Sequence, residues 1–531
     1  MLTRIAPALL ILAANLSAQQ PAVPLYNDLG SHHRAIGTRV PLAQQYFDQG
    51  LRLVYGFNHA EAIRSFTRAT ELDPACAMCF WGIAYAYGPH VNAGMDSASG
   101  VLAYKAAQQA LALGRATSAP DRAYVEAVAA RYSAVPPAQR AALDSAYARA
   151  MGEVARAYPE DLDAQALYAE SLMDLRPWNY WTPDGKPYSG TEKIVALLEG
   201  AIARNPEHPG ACHYYIHAVE AVTPEKAVPC AERLARLMPG VGHMVHMPAH
   251  IYVRVGRYGD AAESNVHAIH SDEMFIEGQK PVTVYSLAYY PHNIHFLAFV
   301  STLAGRSAQA LESSRTLKTK VNLDVARSVF MLQEMVPYHV LTLTTFGRWD
   351  EVLAEPLPPS DIRMPLALAY YARGVALAAT GRFAEARVAL DTVRAVDAAT
   401  PPTADQKTAV SIAVHALMGE IATRSGNADE GIAHFREALK IEEAGLYFEP
   451  PRWYYPMRHS LGAALLKAGR NAEAEAVYRE DLKRFPENGW SLFGLAAALK
   501  AQGKSAEAAA VDQRFAKAWA GADVKLVASR Y

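Results

Sequence analysis

The chain has 531 residues, 51% hydrophobic and 20% charged, with 33 glycines and 32 prolines. That composition excludes a disordered or low-complexity polymer and supplies enough apolar side chain for a large core. A net charge of −2, with no basic run anywhere, gives no electrostatic reason to expect nucleic acid or an anionic membrane surface as partner.

Arg4, the apolar run from Ile5 to Leu16 and the small-residue exit Ser17-Ala18 predict a secretory signal peptide over 1–18. The run is too short to cross a bilayer, and no later stretch reaches the ~18 apolar residues a span requires. The expected product is therefore exported, periplasmic or secreted, and has no membrane span. Residues 19–40 read as an N-terminal extension. The cysteines Cys76, Cys79, Cys212 and Cys230 are too few for a disulfide framework. Cys76-x-x-Cys79 alone is a weak zinc signal, so each pair is expected as buried small residues or as one local disulfide.

From Pro41 the pattern is helical and repeats. Gly50, Ala62, Phe66, Ala69 and Pro74 set a spacing that returns at Gly374/Ala386, at Gly419/Gly431/Phe435/Ala438 and at Gly462/Ala474/Tyr478/Pro486. Turns of the form Gly256-Arg257-Tyr258, Gly347-Arg348-Trp349 and Gly381-Arg382-Phe383 punctuate it. The intervals from Gly347 to Gly381 and from Gly469 to Gly503 are both 34 residues. These residues resemble the helix-turn-helix signature of the tetratricopeptide repeat, in which small residues let paired helices approach and proline stops the second helix. The resemblance covers nearly the whole chain after the signal and implies an all-α solenoid of helical hairpins, wound as a right-handed superhelix, with roughly ten to twelve units. It says much about fold and little about activity, since such arrays are mostly interaction scaffolds.

The units divide into N-terminal repeats over 41–175, an aromatic insertion over 176–192, central repeats over 193–346 and C-terminal repeats over 347–531. Besides Arg176-Pro177-Trp178-Asn179-Tyr180-Trp181, aromatic insertions occur at Tyr285–Tyr290 and Tyr447–Tyr455. Such loops either cover exposed edges or close over a groove.

The central repeats carry the chemistry. His213/His217, His243/His246/His250 and His292/His295 are spaced by three or four residues, which puts each set on one face of a helix. Pro206 precedes His213 and His217 by the same intervals at which Pro239 precedes His246 and His250, and Gly256 follows His243 and His246 as Gly305 follows His292 and His295. The same surface of successive hairpins is decorated. The repeat resemblance implies that this surface is the concave one, where imidazoles on neighbouring helices can converge on an ion at about 2 Å from each nitrogen.

Glu220 shares the stripe of His217, and Glu170 holds the matching place in its own unit; these two are the candidates for a general base beside a metal-bound water. Mixed His and carboxylate sets suit zinc, iron or copper rather than calcium or magnesium. Met244 and Met247 are thioether candidates for a cuprous ion, with helix packing as their ordinary role. Arg254 and Tyr252 are donors toward a bound molecule, Trp178, Trp181, Trp453 and Tyr454 are candidates for an organic contact surface, and His459 is a separate groove contact. His59, His90, His339, His415 and His434 fall off the register and read as structural or exposed. Three readings stand. The first is a transition-metal groove (copper, zinc or iron) binding a small molecule or peptide, with oxidase or hydrolase chemistry if it turns over. The second is a scaffold that binds a peptide or protein partner without catalysis, and the third is histidines that merely satisfy one another.

Overall fold

The computed structural model describes residues 23–278 and 282–531, so the expected signal peptide over 1–18 lies outside the described residues. The chain is all-α: among the described residues there are no strands, and only the isolated bridges His90–Ala93 and Trp181–Pro187 depart from helix, turn and coil. No described helix is long and apolar enough to cross a membrane. The chain divides into two compact units. The first takes residues up to Ile251 together with His267–Tyr290, and the second takes Tyr252–Val266 and Pro291–Tyr531.

In each unit the hairpins are built by the same wedge. Phe66, on the helix His59–Leu72, lies between Gly50 and Gly82, and a Cβ at either glycine would come within 2.5 Å of its ring. Tyr478, on the helix Asn471–Arg484, lies between Gly462 and Gly494, where a Cβ would come within 2.3 and 2.2 Å. Both glycine–aromatic–glycine series step by sixteen residues (50, 66, 82 and 462, 478, 494). A large ring on the second helix thus fills the space that missing side chains leave on the first helices of its own and the next hairpin. Gly381 and Gly503 end first helices at φ 77° and 73°, a left-handed turn that glycine adopts without steric cost. Proline follows second helices at Pro74 and Pro486, as expected of residues that cannot continue a helix.

Both cysteine pairs are disulfides, Cys76–Cys79 and Cys212–Cys230. The second ties the helix Pro209–Val219, the first to carry the histidines, to the helix Val228–Leu237 behind it.

Candidate metal centre

The helix Pro209–Val219 is buried along its entire length. Polar side chains on it must therefore find partners inside the fold. His213 does so through Nδ1, which lies 2.6 Å from the carbonyl oxygen of Tyr55. Tyr55 ends the helix Pro41–Tyr55, so its carbonyl is one of those a helix terminus leaves unbonded. A carbonyl only accepts, so the proton sits on Nδ1 and the lone pair of His213 is on Nε2. That Nε2 lies 3.1 Å from Nε2 of His243.

Glu220 anchors two more rings in the same way. Its Oε1 is 3.2 Å from Nδ1 of His217 and its Oε2 is 2.6 Å from Nδ1 of His250. Each carboxylate oxygen fixes the proton on the ring nitrogen that faces it and leaves Nε2 unprotonated. Nε2 of His250 lies 2.9 Å from Nε2 of His246, while Nε2 of His217 is buried without a hydrogen-bond partner. The stripe of His243, His246 and His250 crosses a break between the helices Gly242–His246 and Pro248–Arg254, because Pro248 has no N–H to continue the first.

One ring nitrogen from each of His213, His217 and His243 lies within 4.8 Å of the others. Two nitrogens bound tetrahedrally to one ion at 2.0–2.1 Å are about 3.3 Å apart, close to the observed Nε2 separations. The five rings are sealed from solvent, none more than 3% exposed. Burial pushes the His213 imidazole well below its usual range, and it lowers His217 as well, against the pull of Glu220. For Glu220 burial acts upward, but His250 and His217 outweigh it and bring the carboxyl down to about 2. Burial thus favours neutral imidazoles at His213 and His217, beside one ionised carboxylate.

Aromatic rings wall the set. Phe57 lies 4.5 Å from His213 and 5.4 Å from His243, Trp178 lies 5.1 Å from His217, and Tyr289 lies 4.8 Å from His243. Phe57 and Trp178 hold φ of 56° and 63°, backbone conformations costly for bulky residues and concentrated at functional sites. Tyr289 belongs to the π-helical turn Tyr285–Tyr289, another feature enriched at such sites. Tyr285 accepts the His243 backbone N–H and donates to Asp272.

His292 and His295 belong to the second unit. His292 packs on Phe296, and His295 sits 4.1 Å from the Tyr338 ring with its pKa lowered to about 3 by burial. Glu170 accepts from Tyr85 and lies in a buried group with Arg131 and Asp174. Burial raises its carboxyl against the pull of Arg131. Glu220 is taken up as the acceptor of two imidazoles. Met244 and Met247 are fully buried.

Trp181 donates to the Ala218 carbonyl and braces the histidine helix from behind. Tyr252 and Arg254 fall in the second unit, where Arg254 donates to the Arg484 carbonyl. Trp453 and Tyr454 are buried there against Tyr371. His459, also in that unit, lies 3.3 Å from Asp481.

Two groups escaped the sequence reading. His59 and His90, off the register, lie beside the set, with His90 stacked on Phe57 at 4.4 Å. Asp163 gathers Tyr55 OH at 2.5 Å, His32 at 2.9 Å and His208 at 3.2 Å. Nδ1 of His208 accepts from the Ala211 N–H, so its proton is on the nitrogen facing Asp163. Burial opposes ionisation of Asp163, yet His32 and His208 hold its carboxyl well below the usual range. This group is a hydrogen-bonded hub that fixes Tyr55, whose carbonyl in turn fixes His213. No period marks it in the sequence, since its members come from a coil segment, a cap and two different hairpins.

A tetratricopeptide-repeat family model matches residues 367–392, 457–480 and 489–511. No curated protein sequence matches the chain. Similar solved structures include the human IFIT1 dimer with m7Gppp-AAAA, at 15% identity, 91% of each chain covered and a TM-score of 0.35. Another is the APC/C hetero-tetramer Cut9-Hcn1, at 12% identity, 91% of this chain and 88% of that one covered, and a TM-score of 0.30. Likenesses of that strength carry no inference about ligand or activity. The second unit thus carries three matched tetratricopeptide-repeat segments, and helical hairpins closed by the same aromatic wedge occur in both units.

Proposed function

We propose that this repeat scaffold holds a transition-metal ion in its first unit, bound by Nε2 of His213, His217 and His243, with His246 and His250 as a neighbouring nitrogen pair. The observation that carries the reading is the anchoring of Nδ1. Tyr55 fixes His213, and Glu220 fixes both His217 and His250, so three imidazoles present Nε2 lone pairs inward. Outer carboxylates and carbonyls that orient metal-bound histidines work in this way. Neutral imidazoles without thiolate favour zinc or copper, with iron the next choice. The burial of the set speaks against the alternative in which exposed imidazoles bind a peptide directly. Export remains part of the proposal, supported by the apolar N-terminal run and the two disulfides.

Elemental analysis of untagged protein tests this. We expect zinc, copper or iron near one ion per chain or above, and its loss in a His217→Ala/His243→Ala double variant that keeps its helical circular dichroism. A folded wild-type chain that takes up none of these metals when each is supplied would overturn the reading.

A further inference from the structure

The second unit carries a feature unrelated to the histidines. After the helix Ser505–Ala518 the chain continues as coil over 522–531 and runs back across other helices of the same unit. Asp523 starts the crossing by accepting the backbone N–H groups of Ser307 and Ala308 at 2.6 and 2.9 Å. Leu526, Ser529 and Arg530 are then buried, while Val527 between them is 74% exposed. The segment thus lays Leu526, Ser529 and Arg530 on the surface and leaves Val527 outward.

The contacts are those of a recognised peptide. Ser529 Oγ lies 2.6 Å from Tyr478 OH and donates to the His459 carbonyl at 3.1 Å. Arg530 donates to Tyr454 OH at 3.0 Å, lies 4.3 Å over the Tyr455 ring and faces Glu420 at 3.8 Å. Arg424 donates to the Tyr531 carbonyl. Glu420 and Arg424 come from the helix Gln406–Arg424 and His459 from Met457–Lys467, first helices of their hairpins.

The seating is imperfect in a telling way. Nε and Nη1 of Arg530 are buried without a hydrogen bond, and the Glu420 oxygen nearest them is beyond hydrogen-bond distance. A cavity of only about 10 Å³ remains beside Ser529, Arg530 and His459, so the segment fills the face. It fills it, however, with a guanidinium whose desolvation is incompletely offset. Among the described residues, 524–531 is held by side-chain contacts without a backbone–backbone hydrogen bond, the seating of a segment that can exchange for another.

We propose that residues 524–531 occupy in cis a peptide-binding face of the second unit. Its exchange partner is an extended segment of another protein that carries a hydroxyl residue followed by arginine. Glu420 with Tyr454 and Tyr455 selects the arginine, and Tyr478 with the His459 carbonyl selects the hydroxyl.

The test uses the full chain with Arg530→Glu, which sets two carboxylates against each other, and a fluorescent peptide of the sequence 522–531. The expected result is a folded variant that binds the peptide saturably and at least ten-fold more tightly than the wild type. The same peptide with alanine in place of its serine and arginine should not bind, and adding Glu420→Ala to the variant should abolish binding. Loss of the helical signal on Arg530→Glu would show the segment to be core and overturn the proposal. Equal binding by wild type and variant, or none by a folded variant, would overturn it as well.

Discussion

At the scale of single residues the decisive group is Glu220, because it sets the tautomers of two rings at once. A glutamine in its place keeps the shape but offers one acceptor oxygen and one donor NH2. Either His217 or His250 must then turn its proton to the other nitrogen, which removes one inward lone pair. Glu220→Gln is therefore expected to fold and to bind the proposed metal ion 10- to 100-fold more weakly, the usual effect of losing an orienting partner. Titration against a competing chelator measures this. An unchanged affinity would mean that Glu220 only balances charge. The anchoring carbonyl of Tyr55 gives no comparable handle, since no side-chain substitution removes it. Gly210 gives an indirect one, because a Cβ there would meet the Tyr55 ring at 2.3 Å.

At the scale of helices and hairpins, the wedge of one aromatic ring between two glycines predicts opposite signs for the same substitution. In Gly462→Ala the new methyl would lie 2.3 Å from Tyr478, whose ring cannot retreat because Gly494 holds its other side. A destabilisation of about 1–3 kcal/mol follows from overpacking. Gly200 lies exposed in the helix Thr191–Arg204, with nothing near its Cβ position. Gly200→Ala is expected to stabilise by about 0.5–1 kcal/mol through helix propensity. Urea midpoints of the two variants check the pair, and a loss in both would refute the assignment of Gly462 to close packing. This level of structure was the most legible in the sequence. Gly50, Phe66, Gly462 and Tyr478 recur at fixed spacing because every hairpin solves the same packing problem. The first two histidine stripes were legible for the same reason. The third belongs to the second compact unit, which register within a hairpin does not reveal. The Asp163 hub was invisible, since its partners meet only through tertiary packing.

For the whole molecule, buried ionisable groups act on stability from both sides of neutrality. His59 in the first unit and His295 in the second are brought down to about 4 and about 3 by burial. Such groups contribute stability that is present above the ordinary histidine value and lost as pH falls through those lowered values. Glu334 acts in the other direction. Its Oε1 is buried without a hydrogen bond, and the nearest cation, Arg452, is 3.7 Å away and stacked on Phe448 and Phe330. Burial outweighs Arg452 and raises this carboxyl from 4.5 to about 7. A raised acid favours the folded state while it is protonated, so its contribution is complete below pH 4.5 and is lost as pH rises through about 7. Glu334→Gln mimics the protonated form at every pH. The variant should match the wild type near pH 4 and exceed it near pH 8 by up to about 3 kcal/mol, the free energy equivalent of that shift. Denaturant titrations at the two pH values decide the matter. A gain of equal size at both would assign the effect to altered packing, because only a proton that the folded chain takes up can make the difference depend on pH.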